Sequence, residues 1–363
     1  MTTTVATRTA TDRGPAPGHQ DTVAKALLAA IGAGAAAVLW LWWSDTGAII
    51  GAAQWITNGA RLCGLLAGYT APVLLLLMAR IPPLDRTLGT DRLARWHAMG
   101  GRYLVGLVVS HVTLIIWGYS LTDHTGVVGQ TTEIVFHYPD MIKASCGTLL
   151  LFGVAAVSAR AARSRLRYQT WYLLHLLTYL SIVLVFFHQL SNGDEFLHDR
   201  AARICWYCLY LGAGAVIVCF RFALPLRDAQ RHRLRVAEVR TEAPGVVSVR
   251  ITGLRLEELA ARTRPGQFFR WRFLAPGLAW SANPYSLSAA PTGDGLRITV
   301  KERGGHSGAL AGLRPGTRVL AEGPYGAFTA DRRTGPKVLL LAAGVGITRC
   351  GRCSRPSRPP PAS

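Results

Sequence analysis

Apolar residues gather in six long runs before Phe222 and then give way to short alternating ones. The runs lie at roughly 23–43, 59–79, 97–119, 141–159, 170–190 and 202–222. Each reaches the length of about 20 residues that an α-helix needs to cross the hydrocarbon core of a bilayer. The third run is the weakest, because Arg102 and two histidines interrupt it. After Arg233 the period shortens to two. Arg233 to Val239, Val246 to Ile251, Gln267 to Phe273, Leu296 to Val300 and Arg318 to Ala321 predict strands separated by turn residues, the pattern of an antiparallel barrel. Val338 to Leu341, followed by Ala343-Gly344-Val345-Gly346, predicts the first strand and glycine turn of a nucleotide-binding unit. The expected architecture is a multi-pass α-helical membrane bundle of six transmembrane helices, a small antiparallel β-barrel, and the remnant of an α/β nucleotide-binding domain. The boundaries are a disordered tail over 1–22, a membrane domain over 23–222, a barrel over 223–335 and the remnant over 336–363.

Composition adds a question about partners. Half of the 363 residues are hydrophobic, and 40 lysines and arginines against 20 acids give a formal charge of +20. On a soluble domain such a charge would suggest nucleic acid. Here the arginines flank the apolar runs, so the lipid bilayer is the expected partner and nucleic acid is not. Arg80, Arg86, Arg92 and Arg95 share one inter-run loop, and Arg160, Arg163, Arg165 and Arg167 another. The loops around Asp123 to Asp140 and Asp194 to Asp199 are acidic and carry no lysine or arginine. The positive-inside rule therefore predicts a cell-membrane protein with both termini cytoplasmic. Trp40, Trp42, Trp43 and Trp117 then fall at outer ends, and Trp96 and Trp171 at inner ends. The seven cysteines form no disulfide framework, and no signal peptide opens the chain.

Ionisable groups inside a membrane are costly and read first as functional. The third run holds His97 and His111, and the fifth holds His175 and His188. Both runs follow an inner loop, so His97 and His175 share the inner level and His111 and His188 the outer one. Separations of 14 and 13 residues correspond to about 21 and 20 Å along a helix. Two stacked inter-helix pairs can each hold a haem through two axial imidazoles. Helical phase is less simple. His111 lies about 40° from the face of His97, but His188 lies about 140° from that of His175. The other readings are backbone bonding and proton relay; zinc is disfavoured, since no Cys or carboxylate completes either pair. Arg61 and Arg102 read either as partners of haem propionates or as side chains snorkelling to the interface. His124, His137 and His198 read as surface residues.

Two motifs in the barrel region carry further chemistry. Asn283-Pro284-Tyr285-Ser286-Leu287-Ser288 sets an aromatic ring beside a hydroxyl, which can stack on a flavin and bond its edge. Lys301-Glu302-Arg303-Gly304-Gly305-His306-Ser307 offers backbone amides and a hydroxyl to a pyrophosphate. Gly323-Pro324-Tyr325-Gly326 then leads toward the glycine turn.

With these motifs in this order, and histidine spacings of 14 and 13, residues 23 to 348 resemble the ferric reductase and NADPH oxidase superfamily. The resemblance implies electron flow from NAD(P)H to FAD, through two b-type haems, to a small-molecule acceptor outside such as ferric iron or dioxygen. It implies that His97 and His175 ligate the inner haem and His111 and His188 the outer. Tyr285 and Ser286 would contact the isoalloxazine, and Gly304 and Ser307 the FAD pyrophosphate. Asn283, Pro284, Leu287 and Ser288 complete the first cofactor motif and Val300, Lys301 and Gly305 the second, while Gly344 and Gly346 open the nucleotide site. No side chain is assigned as acid, base or nucleophile. Two departures stand out. The family usually has His or Arg where this chain has Asn283. After Thr348 it continues with Pro and a nucleotide domain, where this chain has Arg349-Cys350-Gly351-Arg352-Cys353 and a Pro/Arg/Ser tail. A truncated frame with an incomplete NAD(P)H site is expected, and Cys350-x-x-Cys353 is not read as a metal motif. The alternative is a haem-binding membrane subunit fed by a partner reductase.

Overall fold

The computed structural model describes residues 19–326, apart from 265 and 292, together with 329. The expectations for residues 1–18, for Val338 to Leu341 with Gly344 and Gly346, and for Cys350 and Cys353 lie outside the described residues. The chain divides into two compact units. One comprises Lys25–Ala79 and Leu93–Ile217; the other comprises Met1–Ala24, Arg80–Arg92 and Val218–Ser363.

The first unit is helical. Its main helices are α1 (His19–Asp45), α2 (Gly51–Leu77), α4 (Thr90–Thr122), α6 (Met141–Ser158), α8 (Tyr168–Asn192) and α10 (Arg200–Val218). Among the described residues six helices are long and apolar enough to cross a membrane, and each contains or largely overlaps one of the six apolar runs. The helices overshoot the runs because polar residues at headgroup level keep their backbone bonds while dropping out of the hydropathy pattern. Thus α1 starts at His19, within the tail expected to be disordered, and Asp21 in its first turn suits the positive end of the helix dipole. Leu149, Leu173 and Leu211 are more than 60% exposed (71%, 65% and 68%). A surface of that kind suits lipid and not water. Gly147 lets α6 and α8 touch: a Cβ there would lie 3.0 Å from the Ser181 carbonyl oxygen, and Ser181 Oγ donates to the Gly147 carbonyl at 2.7 Å. Two short helices, α7 (Arg160–Arg163) and α9 (Asp194–His198), cap connections. A third, α5 (Val127–His137), occupies the acidic loop, where no helix was expected. Only Gln130 and Ile134, one turn apart, are buried in it, a stripe too short to read as a periodic run.

The second unit contains α3 (Pro82–Leu88), α11 (Leu224–His232), α12 (Leu256–Ala261), α13 (Gly305–Ala309) and six strands. These are β1 (Arg235–Ala243), β2 (Val246–Thr252), β3 (Phe268–Phe273), β4 (Asn283–Ser286), β5 (Leu296–Lys301) and β6 (Val319–Tyr325). They form two antiparallel three-stranded sheets, β1-β2-β5 and β4-β3-β6. Bridges Leu287↔Ile298 and Arg235↔Arg318 join the sheets at both edges. The order β1-β2-β5-β4-β3-β6 is thereby closed, and closure removes exposed edges. Alternate residues Phe269, Trp271 and Phe273 point inward at 0% exposure and meet Val249, Ile251 and Ile298, also at 0%. Three strand readings change. β1 begins at Arg235 because Arg233 takes a left-handed conformation (φ 43°) at the end of α11. β4 is a strand despite Pro284, and β6 runs on through Gly323-Pro324 to Tyr325.

Asp85 on α3 is 3% exposed, and its Oδ2 has no hydrogen-bond partner. Burial pushes its pKa up to about 6, against the pull of Arg80 and Arg221. A raised carboxylate stabilises most below its unfolded pKa of 3.8, and that contribution disappears as pH rises through about 6. Relative to Asp85→Asn, the native chain is expected to lose about 2 to 3 kcal/mol of stability between about pH 4 and pH 8. Paired denaturation curves across that range check it; parallel curves would show that Asp85 is not buried as an acid.

Candidate functional site

Helices α4 and α8 bring the four membrane histidines together in two pairs. His97 and His175 have ring centroids 6.0 Å apart with planes at 76°; His111 and His188 are 6.5 Å apart at 39°. Phase along α8 left the pairing open. The structure forms both pairs, with a different ring orientation in each. A metal ion bound by two imidazoles needs about 2 Å for each metal–nitrogen bond, plus about 1 Å from each nitrogen to its ring centre, or roughly 6 Å in all. Both spacings fit a bis-imidazole metal. Among the described residues no group of three or more His, Cys, Asp or Glu side chains is gathered for a metal.

Each imidazole is also oriented. His97 Nδ1 lies 3.0 Å from the Leu74 carbonyl oxygen, and His111 Nδ1 lies 2.8 Å from that of Ala60. His188 Nδ1 meets the Val185 carbonyl. A carbonyl only accepts, so Nδ1 carries the proton in these three and Nε2 keeps its lone pair for a metal. His175 Nδ1 lies 3.3 Å from Ser158 Oγ, and its ring stacks on Trp171 at 5.2 Å. His124 and His198 are exposed, and His137 pairs with Glu133, as surface residues do.

In the barrel, β4 places Tyr285 opposite Phe269 and Ser286 opposite Phe268. Trp271 Nε1 donates to the Tyr285 carbonyl at 2.9 Å, tying this strand to the core. The Tyr285 hydroxyl lies 3.4 Å from His306 Nδ1 on α13. Burial raises the Tyr285 pKa and lowers that of His306, so both stay neutral at neutral pH. Asn283 Nδ2 and His306 Nε2 are buried without a partner. Such orphans are costly unless a ligand's polar edge completes them, which fits a flavin beside Tyr285. Gly304 takes φ 123°, ψ −175°, a region open essentially to glycine alone, and opens α13. A Cβ at Gly304 or Gly305 would meet nothing within 4 Å, so the turn faces open space where a pyrophosphate can approach. Some expected contacts change. Leu287 (1% exposed) and Val300 (5%) belong to the barrel core and offer a cofactor only backbone. Ser288 Oγ is bonded to Arg297. Ser307 Oγ accepts from the Arg303 amide and donates to the Gly304 carbonyl, so it closes its own turn. Pro284 and Lys301 are exposed.

Residues 63–186 match the family described as the ferric reductase like transmembrane component. The match takes in His97, His111 and His175 and stops two residues before His188. Over those residues the chain is similar to the ferric reductase-type transmembrane component. A flavohemoprotein of Deinococcus radiodurans is 40% identical over 89 residues, 23% of this chain and 22% of that protein. An NADPH oxidoreductase of Mycobacterium tuberculosis is 32% identical over 136 residues, 35% and 34% of the two chains. The reductase subunit Stc4 of a stachydrine N-demethylase from Rhizobium meliloti is 39% identical over 88 residues, 23% and 25%. The matches thus span between about a fifth and a third of these relatives' length. A flavohemoglobin structure from Malassezia yamatoensis aligns at a TM-score of 0.25 and 13% identity, covering 76% of this chain and 63% of that one.

The helical bundle holds its outer histidine pair with residues that sequence reading missed. On α2, Gly64 faces His111: a Cβ there would lie 2.7 Å from Nδ1. Four residues on, a Cβ at Gly68 would lie 2.7 Å from Trp206 Cζ2 and 3.1 Å from Gln189 Oε1. Gln189, next to His188, accepts from Trp206 Nε1 at 2.8 Å, and Tyr210 Oη, which donates to the Gly68 carbonyl at 2.8 Å, lies 3.2 Å from Gln189 Oε1. The legible signal was Gly64-Leu65-Leu66-Ala67-Gly68, a G-x-x-x-G spacing that marks close helix approach. Arg61 has partners that neither reading of it named. Its guanidinium is held by Asp45 at 3.1 Å, Asp194 at 3.2 Å and Glu195 at 2.8 Å. Arg102 is exposed.

Proposed function

We propose that this chain is a transmembrane oxidoreductase that binds FAD at the barrel and two b-type haems in the bundle. His97 and His175 hold the inner haem, and His111 and His188 the outer. Electrons enter from NAD(P)H and leave to an acceptor such as ferric iron or dioxygen. The two stacked histidine pairs, each spaced for one metal between them, carry this reading. The flavohemoprotein and NADPH oxidoreductase relatives support its haem, flavin and nucleotide parts. Bound FAD takes two electrons from a hydride, and haem iron passes electrons on singly. The protein's share is positional. Tyr285 and the Gly304 turn hold the flavin, carbonyls of Leu74, Ala60 and Val185 accept from Nδ1 and so leave Nε2 as the metal-binding nitrogen, and the apolar helices exclude water.

A second reading is a haem-binding subunit fed by a partner reductase. It is favoured by Asn283 in place of a basic residue and by the self-bonded Ser307 hydroxyl, both of which weaken the hold on FAD. The full chain, reconstituted with FAD and haem, separates the two. Photoreduced FAD is expected to reduce both haems. Haems that stay oxidised until a partner flavoprotein is added would favour the second reading, and haems that never accept electrons from either would overturn both.

The orientation follows from charge. A reporter fused after Leu226 is expected on the cytoplasmic side and one at Thr131 outside, because arginine-rich loops stay in. The reverse pattern in an accessibility assay would place the flavin on the wrong side of the membrane for a cytoplasmic donor.

A further inference from the structure

Against the C-terminal half of the last apolar helix, the structure has a cleft of about 320 Å³. The helix runs without a break from α10 through a π-helical turn, Cys219–Ala223, into α11, and residues 200–232 are apolar enough to count as one span. Phe220, Leu224 and Pro225 line the cleft from the C-terminal half of that span. The rest of the wall is basic. Arg80, Arg86, Arg227, Arg231 and Arg262 line it, against the carboxylates of Asp228, Glu258 and Glu322. Each carboxylate is already paired. Arg231 holds Glu258 through Nε and Nη2 at 2.7 and 2.8 Å, Arg262 holds Asp228 at 2.8 Å, and Arg80 holds Glu322. Beyond these three pairs, Arg227 adds a further positive charge to the cleft. Arg227 is exposed and makes no ion pair among the described residues.

We propose that this cleft is a binding site for a phosphate-ester anion, supplied by the headgroup of an anionic phospholipid. Guanidinium forks match phosphate oxygens. The apolar wall accepts the glycerol and upper acyl carbons, and basic pockets at the end of a span are where anionic headgroups concentrate. A zwitterionic headgroup brings its own cation and cannot offset the surplus charge. The site is separate from the histidine pairs and from the Tyr285 motif, so it stands whether or not the redox reading does.

The test uses the full chain, purified in neutral detergent and titrated with a fluorescent phosphatidylglycerol. Saturable binding is expected, at least ten-fold weaker in Arg227→Glu and retained in Arg227→Lys, with an unchanged elution profile showing that the variants fold. Displacement of the probe by inorganic phosphate would keep the phosphate site and assign it to a free anion. Three results would overturn the proposal: equal binding of phosphatidylcholine, unchanged binding by Arg227→Glu, or displacement by FAD, which would make the cleft part of the flavin site.

Discussion

Alanine at His97 or His175 is expected to lower the haem content from about two per chain to about one and to spare the outer haem. Alanine at His111 or His188 should do the reverse. Each haem needs both imidazoles of its pair to stay six-coordinate and low-spin, and a lone imidazole holds it far less firmly. The pairs are independent in the structure. The inner is oriented through Leu74 and Ser158, the outer through Ala60 and Val185. Pyridine haemochrome assays give the stoichiometry, and low-temperature difference spectra identify which haem remains. Single variants that keep two low-spin haems would show that these histidines are not the ligands. Loss of both haems from every single variant would show that the pairs are not separate sites.

Gly64→Ala is expected to remove the outer haem almost as completely as loss of a ligand, although Gly64 touches no cofactor. Its new methyl would lie 2.7 Å from His111 Nδ1 and 2.8 Å from Cε1, inside any permitted contact. Nδ1 is the same atom that bonds the Ala60 carbonyl at 2.8 Å, so the ring can yield only by leaving the bond that aims Nε2. Helix backbone cannot retreat cheaply in a packed bundle. Gly59 supplies the control. It lies on the same helix, and a Cβ there would meet nothing within 4 Å, so Gly59→Ala should keep both haems. Equal haem loss in the two variants would point to general damage to α2 and against a specific contact with His111.

Much of this was visible in the order of residues. A bilayer span depends on the local density of apolar side chains, which is a one-dimensional property, so all six spans could be placed. Barrel strands were visible for the same reason, since alternation such as Phe269, Trp271 and Phe273 is local. The histidines stood out because an ionisable group within an apolar run is conspicuous wherever its partner lies. Beyond that, local pattern ran out. Helical phase put His175 and His188 on different sides of α8, and only packing against α4 decided that both meet a partner. Arg61 is held by Asp194 and Glu195, more than 130 positions away in sequence, partners that neither reading of it named. Leu287 and Val300 sit within cofactor motifs, yet the closing of the barrel turned their side chains into the core. Residue order determines what each segment can bury. Which groups then face one another depends on distances between segments far apart in the chain, and those exist only in the folded structure.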